Sequence, residues 1–190
     1  MKKIPVLLIL SIAFYTINGR DFHKRFFNNT GSWVNSFNEF RNAVTKNDKV
    51  KTKQFIDFPI MNVNNEIWNL AYDNNYQMIS KLPGNPQPFT QADFDKYFNK
   101  IFTKRFINTI LKINTGELFD KGESKTPEFK DGAITYKMYA TYDKESQTIS
   151  LNLAMKTQDR SEDNGMFNVI YQFDVVSGSD VKFRQVRIAG

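Results

Sequence analysis

The residue types that build most catalytic and metal centres are scarce in this chain. His23 is its single histidine, and it contains no cysteine. Zinc sites and Ser-His-Asp triads need histidine or thiolate side chains, and no G-x-S-x-G element accompanies His23. From these residue types we predict no catalytic residue, no metal ligand and no cofactor-binding residue, and we interpret His23 as a surface residue.

One stretch has oxygen-bearing side chains at alternate positions, as calcium loops do. Asp159, Ser161 and Asp163 precede Gly165, and a hard cation needs several oxygen ligands followed by a sharp turn. The glycine is one position late for an EF-hand, and no acidic residue follows at the far ligand position. We therefore interpret the stretch as a polar hairpin turn.

Other acidic residues give no paired site. Asp93 and Asp95 fall in a predicted helix, where side chains two positions apart point about 200° away from each other. A glycine-containing stretch, predicted to be a solvated loop, holds three more: Glu117, Asp120 and Glu123. An enzyme with one inward-facing carboxylate as general base is an alternative that these patterns leave open.

Four tyrosines are candidates for contact with a ligand. Tyr136, Tyr139, Tyr142 and Tyr171 all lie in predicted strands. Tyrosine has an apolar ring and a polar tip, which suits a sheet surface that holds a small molecule. The alternative interpretation is that these side chains belong to the core and to cross-strand pairs.

Composition indicates a single globular domain without disulfides. The 190 residues are 41% apolar and 15% aromatic, and the formal net charge is +6. A chain of this length can bury a core by packing alone. Its positive charge is spread out, and the basic residues of one predicted helix (Lys100, Lys104, Arg105) and of the last strand suit solvent-exposed faces. We therefore predict no nucleic-acid partner.

The first residues have the pattern of a cleavable signal peptide. Lys2 and Lys3 precede an apolar run of eleven residues, Ile4–Phe14, which is too short to span a bilayer. The pattern resembles a Gram-negative export signal, with Gly19 as a possible cleavage residue. We predict a signal peptide at 1–19, a lead-in segment at 20–32 and one domain at 33–190, periplasmic or secreted and without a membrane span after cleavage.

The hydrophobic period changes along the predicted domain. Apolar spacing predicts helices at 33–46, at 49–56 and from Thr90 onward, and turns or short strands at 60–89. After about residue 133 the period becomes two, which predicts four strands with turns between them. A phase slip near Gln185 predicts a β-bulge. Helices followed by strands indicate an α+β fold, with N-terminal helices packed on a curved antiparallel sheet of about four C-terminal strands.

This order of elements resembles NTF2-like and cystatin-like proteins. Local patterns are similar to exported proteins of unknown function from Bacteroidetes-type bacteria: Phe37-x-x-Phe40-Arg41-x-Ala43, Asn47-Asp48, Phe55-Ile56-x-Phe58-Pro59-Ile60 and Phe94-x-x-Tyr97. These positions are structural and carry no chemistry. The resemblance implies helices against one face of a sheet, with a pocket possible between them.

Three functions are compatible with this sequence. The first is an exported non-catalytic binding domain, whose partner is a small molecule, a peptide or an envelope protein. The second is an NTF2-like enzyme with a carboxylate base in the cone. The third is an inhibitor or immunity protein that acts against a cell-wall hydrolase.

Overall fold

The computed structural model describes residues 32–157 and 166–189, which form an α+β structure. The predicted signal peptide, His23, most of the lead-in segment and the 159–165 turn lie outside these residues. The described helices are α1 (Trp33–Thr45), α2 (Lys49–Lys53), α3 (Glu66–Ala71), α4 (Tyr76–Ile79), α5 (Gln91–Ile101), α6 (Lys104–Ile110) and α7 (Thr115–Lys121). The described strands are β1 (Glu123–Lys125), β2 (Phe129–Asp131), β3 (Ile134–Asp143), β4 (Thr148–Thr157), β5 (Met166–Val176) and β6 (Asp180–Ala189).

No helix among the described residues is both long enough and apolar enough to span a membrane.

The strands form one antiparallel sheet in the order β1-β3-β4-β5-β6, with β2 also paired to β3. The expectation of about four strands was wrong, because the described sheet has six. The four long strands follow the predicted period, whereas β1 and β2 have three residues each. Segments of three residues are too short to show alternation.

The predicted β-bulge is confirmed. Gln172 pairs with Gln185, but Phe173 pairs with Phe183, so Arg184 is the extra residue on β6. The extra residue keeps Phe183 and Val186 both buried although they are three positions apart.

One face of the sheet packs against the helices, and we call it the inner face; the opposite face is the outer face. Pairing of the strands arranges the inner face in rows, numbered from the end that carries the β3–β4 turn. Row one is Tyr142, Ile149, Phe173 and Phe183; row two is Ala140, Leu151, Tyr171 and Val186; row three is Met138, Leu153, Val169 and Ile188; row four is Tyr136, Met155 and Phe167; row five is Ile134 and Thr157.

Local signals explain where the first helices end. Asn47 adopts φ 55°, which ends α1, and the Asp48 side chain accepts a hydrogen bond from the Lys51 amide to begin α2. α2 stops at Lys53, earlier than predicted. Ser36 lies inside α1, and its hydroxyl accepts a hydrogen bond from the Val181 amide.

The later helices follow their capping residues. Thr90 and Asp93 form a capping box at the start of α5, where a helix was predicted to begin, and Thr103 caps α6. The segment at 60–89 contains the short helices α3 and α4 instead of strands. The last described helix, α7, ends at Gly122 with φ 80°.

Large aromatic side chains join the helices to rows one and two. The Phe40 ring of α1 lies 4.9 Å from the Phe173 ring, and the Phe106 ring of α6 lies 4.2 Å from the Tyr171 ring. Phe102 contacts both Tyr171 and Phe183. These rings are buried, so helix–sheet spacing at this end is set by aromatic packing.

Arg41 connects two helices from within the core. Its guanidinium donates to the Leu111 carbonyl at the end of α6 (2.8 Å) and to the Asn38 side chain (3.0 Å). A cation is favourable at the C-terminal end of a helix, where carbonyls lack partners. Burial lowers the pKa of Arg41 to about 10, because desolvation disfavours its charged form.

The outer edge of β6 is occupied by groups from other elements. Its Val181, Phe183 and Ile188 amides donate to the Ser36 hydroxyl, the Phe55 carbonyl and the Glu66 carboxylate respectively. A sheet edge with its amides paired offers few free groups to another chain.

The Phe40→Ala variant tests the aromatic packing. Phe40 is fully buried and contacts the rings of Phe55, Phe102 and Phe173, so we expect a loss of about 3–5 kcal/mol in the free energy of unfolding. Urea unfolding followed by circular dichroism measures it. Val50→Ala is the control, since Val50 is 72% exposed and should change stability by less than about 0.5 kcal/mol. Equal losses in both variants would contradict this packing.

Candidate cavity beneath the helices

A cavity of about 350 Å³ lies between the helices and rows two to five of the sheet. Its floor is Tyr171, Leu153, Val169, Met155 and Phe167, with Ile134 and Thr157 at the far end. Leu70 of α3 contributes an apolar wall. Asp73 and Asn74, which follow α3, and Lys100, Thr103 and Arg105 contribute the rest. Volumes of roughly 300–1,000 Å³ with mostly apolar walls are typical of small-molecule sites.

The cavity is deep at one end and open at the other. Leu153, Val169 and Tyr171 are at most 3% exposed, whereas Ile134, Met155, Thr157 and Phe167 are half-buried. The Phe102 ring, which follows α5, and the Phe106 ring of α6 cover Tyr171 in row two. The opening is therefore at rows four and five, beyond the aromatic packing.

Charged residues surround the opening. Lys100 of α5 pairs with Asp73, which follows α3, and both line the cavity. Arg105 of α6 also lines it. Its Nε donates to Asp131 Oδ2 at 2.9 Å, and its Nη2 forms an ion-pair contact of 2.8 Å with the same oxygen. Asp131, at the end of β2, is not part of the lining. The cavity wall thus contains two cations and one anion from these two ion pairs.

Two hydroxyl groups add polar character to the wall. The Thr157 hydroxyl oxygen is buried and has no hydrogen-bond partner among the residues that the structure describes, which is unusual for a buried polar atom. The Thr103 hydroxyl accepts a hydrogen bond from the Phe106 amide and keeps its own proton for a second bond.

The four predicted ligand-facing tyrosines lie in different surroundings. Only Tyr171 among them lines the described cavity, and its hydroxyl donates to the Ile101 carbonyl (2.8 Å). Tyr136 is buried on the inner face against Phe129 and accepts from the Asn108 amide group. Tyr142 packs on Trp33 and donates to Gln147. Tyr139 lies on the outer face with the Lys137 ammonium 4.9 Å from its ring centre.

The acidic residues considered from the sequence do not meet at the cavity. Asp93 caps α5 and Asp95 pairs with Lys53, so they act separately, as predicted. Glu117 and Asp120 lie on α7 instead of in a loop, because Asn114 caps this helix and Gly122 ends it. A hydrogen bond from Lys121 lowers the pKa of Glu117.

Among the described residues, Asp73 is the acidic side chain that lines the cavity. Its side chain is 67% exposed and it pairs with Lys100. No carboxylate is among the buried polar residues of the described ranges. The described cavity thus contains no buried carboxylate of the kind that an NTF2-like general base would require.

Sequence reasoning missed the charged opening. Lys100 and Arg105 were interpreted as solvent-exposed cations, and nothing in the spacing of Asp73 and Asp131 connects them to those two. The usable signal was Thr103, which caps a new helix and places Arg105 at the turn between α5 and α6.

The Tyr171→Phe variant tests the deep wall of the cavity. We expect the variant to lose about 1–3 kcal/mol of unfolding free energy at neutral pH, because the buried Ile101 carbonyl loses its donor. Burial also raises the pKa of Tyr171 above its ordinary value of 10.0. The unfolded chain then releases this proton more readily, so above pH 10 the wild-type protein should lose stability faster than the variant.

Urea unfolding at pH 8 and pH 11 measures both effects. Tyr76→Phe is the control, because Tyr76 is 80% exposed. If both variants had the unfolding free energy of the wild type at both pH values, the buried position of Tyr171 and its hydrogen bond to Ile101 would be wrong.

Comparisons with known proteins find no relative. Neither protein-family models, nor curated proteins, nor solved structures give a significant match to this chain. The site must accordingly be interpreted from its own geometry.

Proposed function

We propose that this chain is an exported, non-catalytic binding domain that holds a small, largely apolar molecule in the cavity beneath its helices. The observation that carries the proposal is the cavity itself: about 350 Å³, with aliphatic and aromatic side chains on the floor and a polar opening. A ligand in this space would replace water on apolar walls, which is favourable.

The sheet edges favour a small molecule over a peptide. A peptide that adds a strand needs a row of free amides and carbonyls along an edge. The β6 amides named above are already paired with Ser36, Phe55 and Glu66. The other edge is divided between β1 and β2, which shortens any continuous pairing surface.

The fold family and the cellular location are also part of the proposal. Helices against one face of an antiparallel sheet, with a cavity between them, support the NTF2-like resemblance. The leader-like pattern of residues 1–19 supports export to the periplasm or the medium.

Binding of N-phenyl-1-naphthylamine, a neutral apolar dye that fluoresces on leaving water, tests the proposed function. We expect saturable binding to the wild-type protein. Thr157→Phe should weaken it by about tenfold or more, because the added ring occupies cavity volume beside Met155 and Ile134.

Thr135→Phe is the matched control for this experiment. Thr135 pairs with Lys156, next to the Ile134–Thr157 pair, and lies on the outer face of the same end of the sheet. Its dye affinity should equal that of the wild type, with circular dichroism showing both variants folded. Absence of saturable binding to the wild type, or equal affinity in the two variants, would overturn the proposal.

A further inference from the structure

The opening of the cavity has more hydrogen-bond donors than acceptors. Lys100, Arg105, Thr103 and Asn74 all line the cavity and all carry N–H or O–H groups, and Asn74 also carries one amide oxygen that accepts. Asp73 is the lining carboxylate within the described residues, and it is paired with Lys100. A ligand that enters therefore meets an excess of donors at the opening and apolar side chains below.

Arg105 is held in place with part of its guanidinium unused. Both of its contacts with Asp131 end on the same oxygen, Oδ2: Nε donates a hydrogen bond and Nη2 forms an ion-pair contact. Within the described residues, Nη1 has no hydrogen-bond partner. A planar guanidinium fixed on one side can still present two parallel N–H groups to a second acceptor.

The position of Asp131 leaves the cavity side of this ion pair positive. Arg105 lines the cavity and Asp131 does not, so the ion pair exposes its positive member to the ligand space. The Arg105 side chain is 32% exposed, whereas that of Asp131 is 58% exposed. A partly desolvated cation interacts more strongly with an incoming anion than a fully solvated one does.

We propose that the ligand is a monocarboxylate with an apolar body, whose carboxylate binds Arg105 and Lys100 at the opening and whose body lies on the floor of the cavity. This inference rests on the proposed function and adds the chemical class of the ligand. Asp131 is a positioning residue for Arg105 in this arrangement. A carboxylate matches the free side of the guanidinium, and the half-buried Met155 and Phe167 contact the body.

Decanoate and decanol test this inference, because they share an alkyl chain and differ in the head group. Displacement of N-phenyl-1-naphthylamine at pH 7.5 gives the affinity of each. We expect decanoate to bind the wild-type protein about tenfold more tightly than decanol, the range of a charged hydrogen bond. Arg105→Gln should remove most of this difference and leave decanol binding within about twofold.

Arg184→Gln is the matched control, because Arg184 is also a half-exposed arginine paired with an aspartate, Asp174, but lies on β6 at the bulge. It should leave both affinities unchanged. Equal affinity of the wild type for decanoate and decanol would overturn the carboxylate assignment and leave the proposed function standing. Equal losses of decanoate affinity in the two arginine variants would overturn the assignment of Arg105. Failure of both compounds and of the dye to bind would overturn the proposed function as well.

Discussion

The aromatic packing between the helices and rows one and two of the sheet is the constraint on which the rest of the structure depends. Phe40 lies on Phe173, and Phe102 and Phe106 lie on Tyr171. Rings of this size keep the helices at a fixed distance from the sheet where they interlock. Beyond Tyr171 the floor changes to Leu153, Val169 and Met155, and space remains between the two layers.

Polar interactions fix the positions of the residues around the cavity. Tyr171 donates to the Ile101 carbonyl at the end of α5, which fixes the turn that carries Thr103 and Arg105. Asp131 of β2 fixes Arg105 from the sheet side. The short strand β2 therefore contributes directly to the opening, although its three residues add little to the sheet.

Sequence patterns predicted the elements better than the site. The change from helical to two-residue period identified β3 to β6, and the slip near Gln185 located the bulge at Arg184. Capping chemistry at Thr90 identified α5. β1 and β2 were missed because a segment of three residues is too short to show a period. α3 and α4 were missed because asparagines interrupt their apolar spacing.

The tyrosine hypothesis shows why the site was harder to predict. Tyr136, Tyr142 and Tyr171 share the inner face, but only Tyr171 lines the described cavity. Alternation along a strand predicts the face on which a side chain lies. It contains no information about where helices cover that face, which is decided by contacts far apart in sequence. The ion pairs at the opening, Lys100 with Asp73 and Arg105 with Asp131, likewise join residues more than twenty positions apart.

Diffraction from a crystal of the protein under xenon pressure tests the central claim most directly, because xenon enters apolar cavities and scatters strongly. The structure predicts a xenon site between Leu153, Met155 and Phe167. Side-chain density that fills this space, with no xenon bound there, would contradict the account.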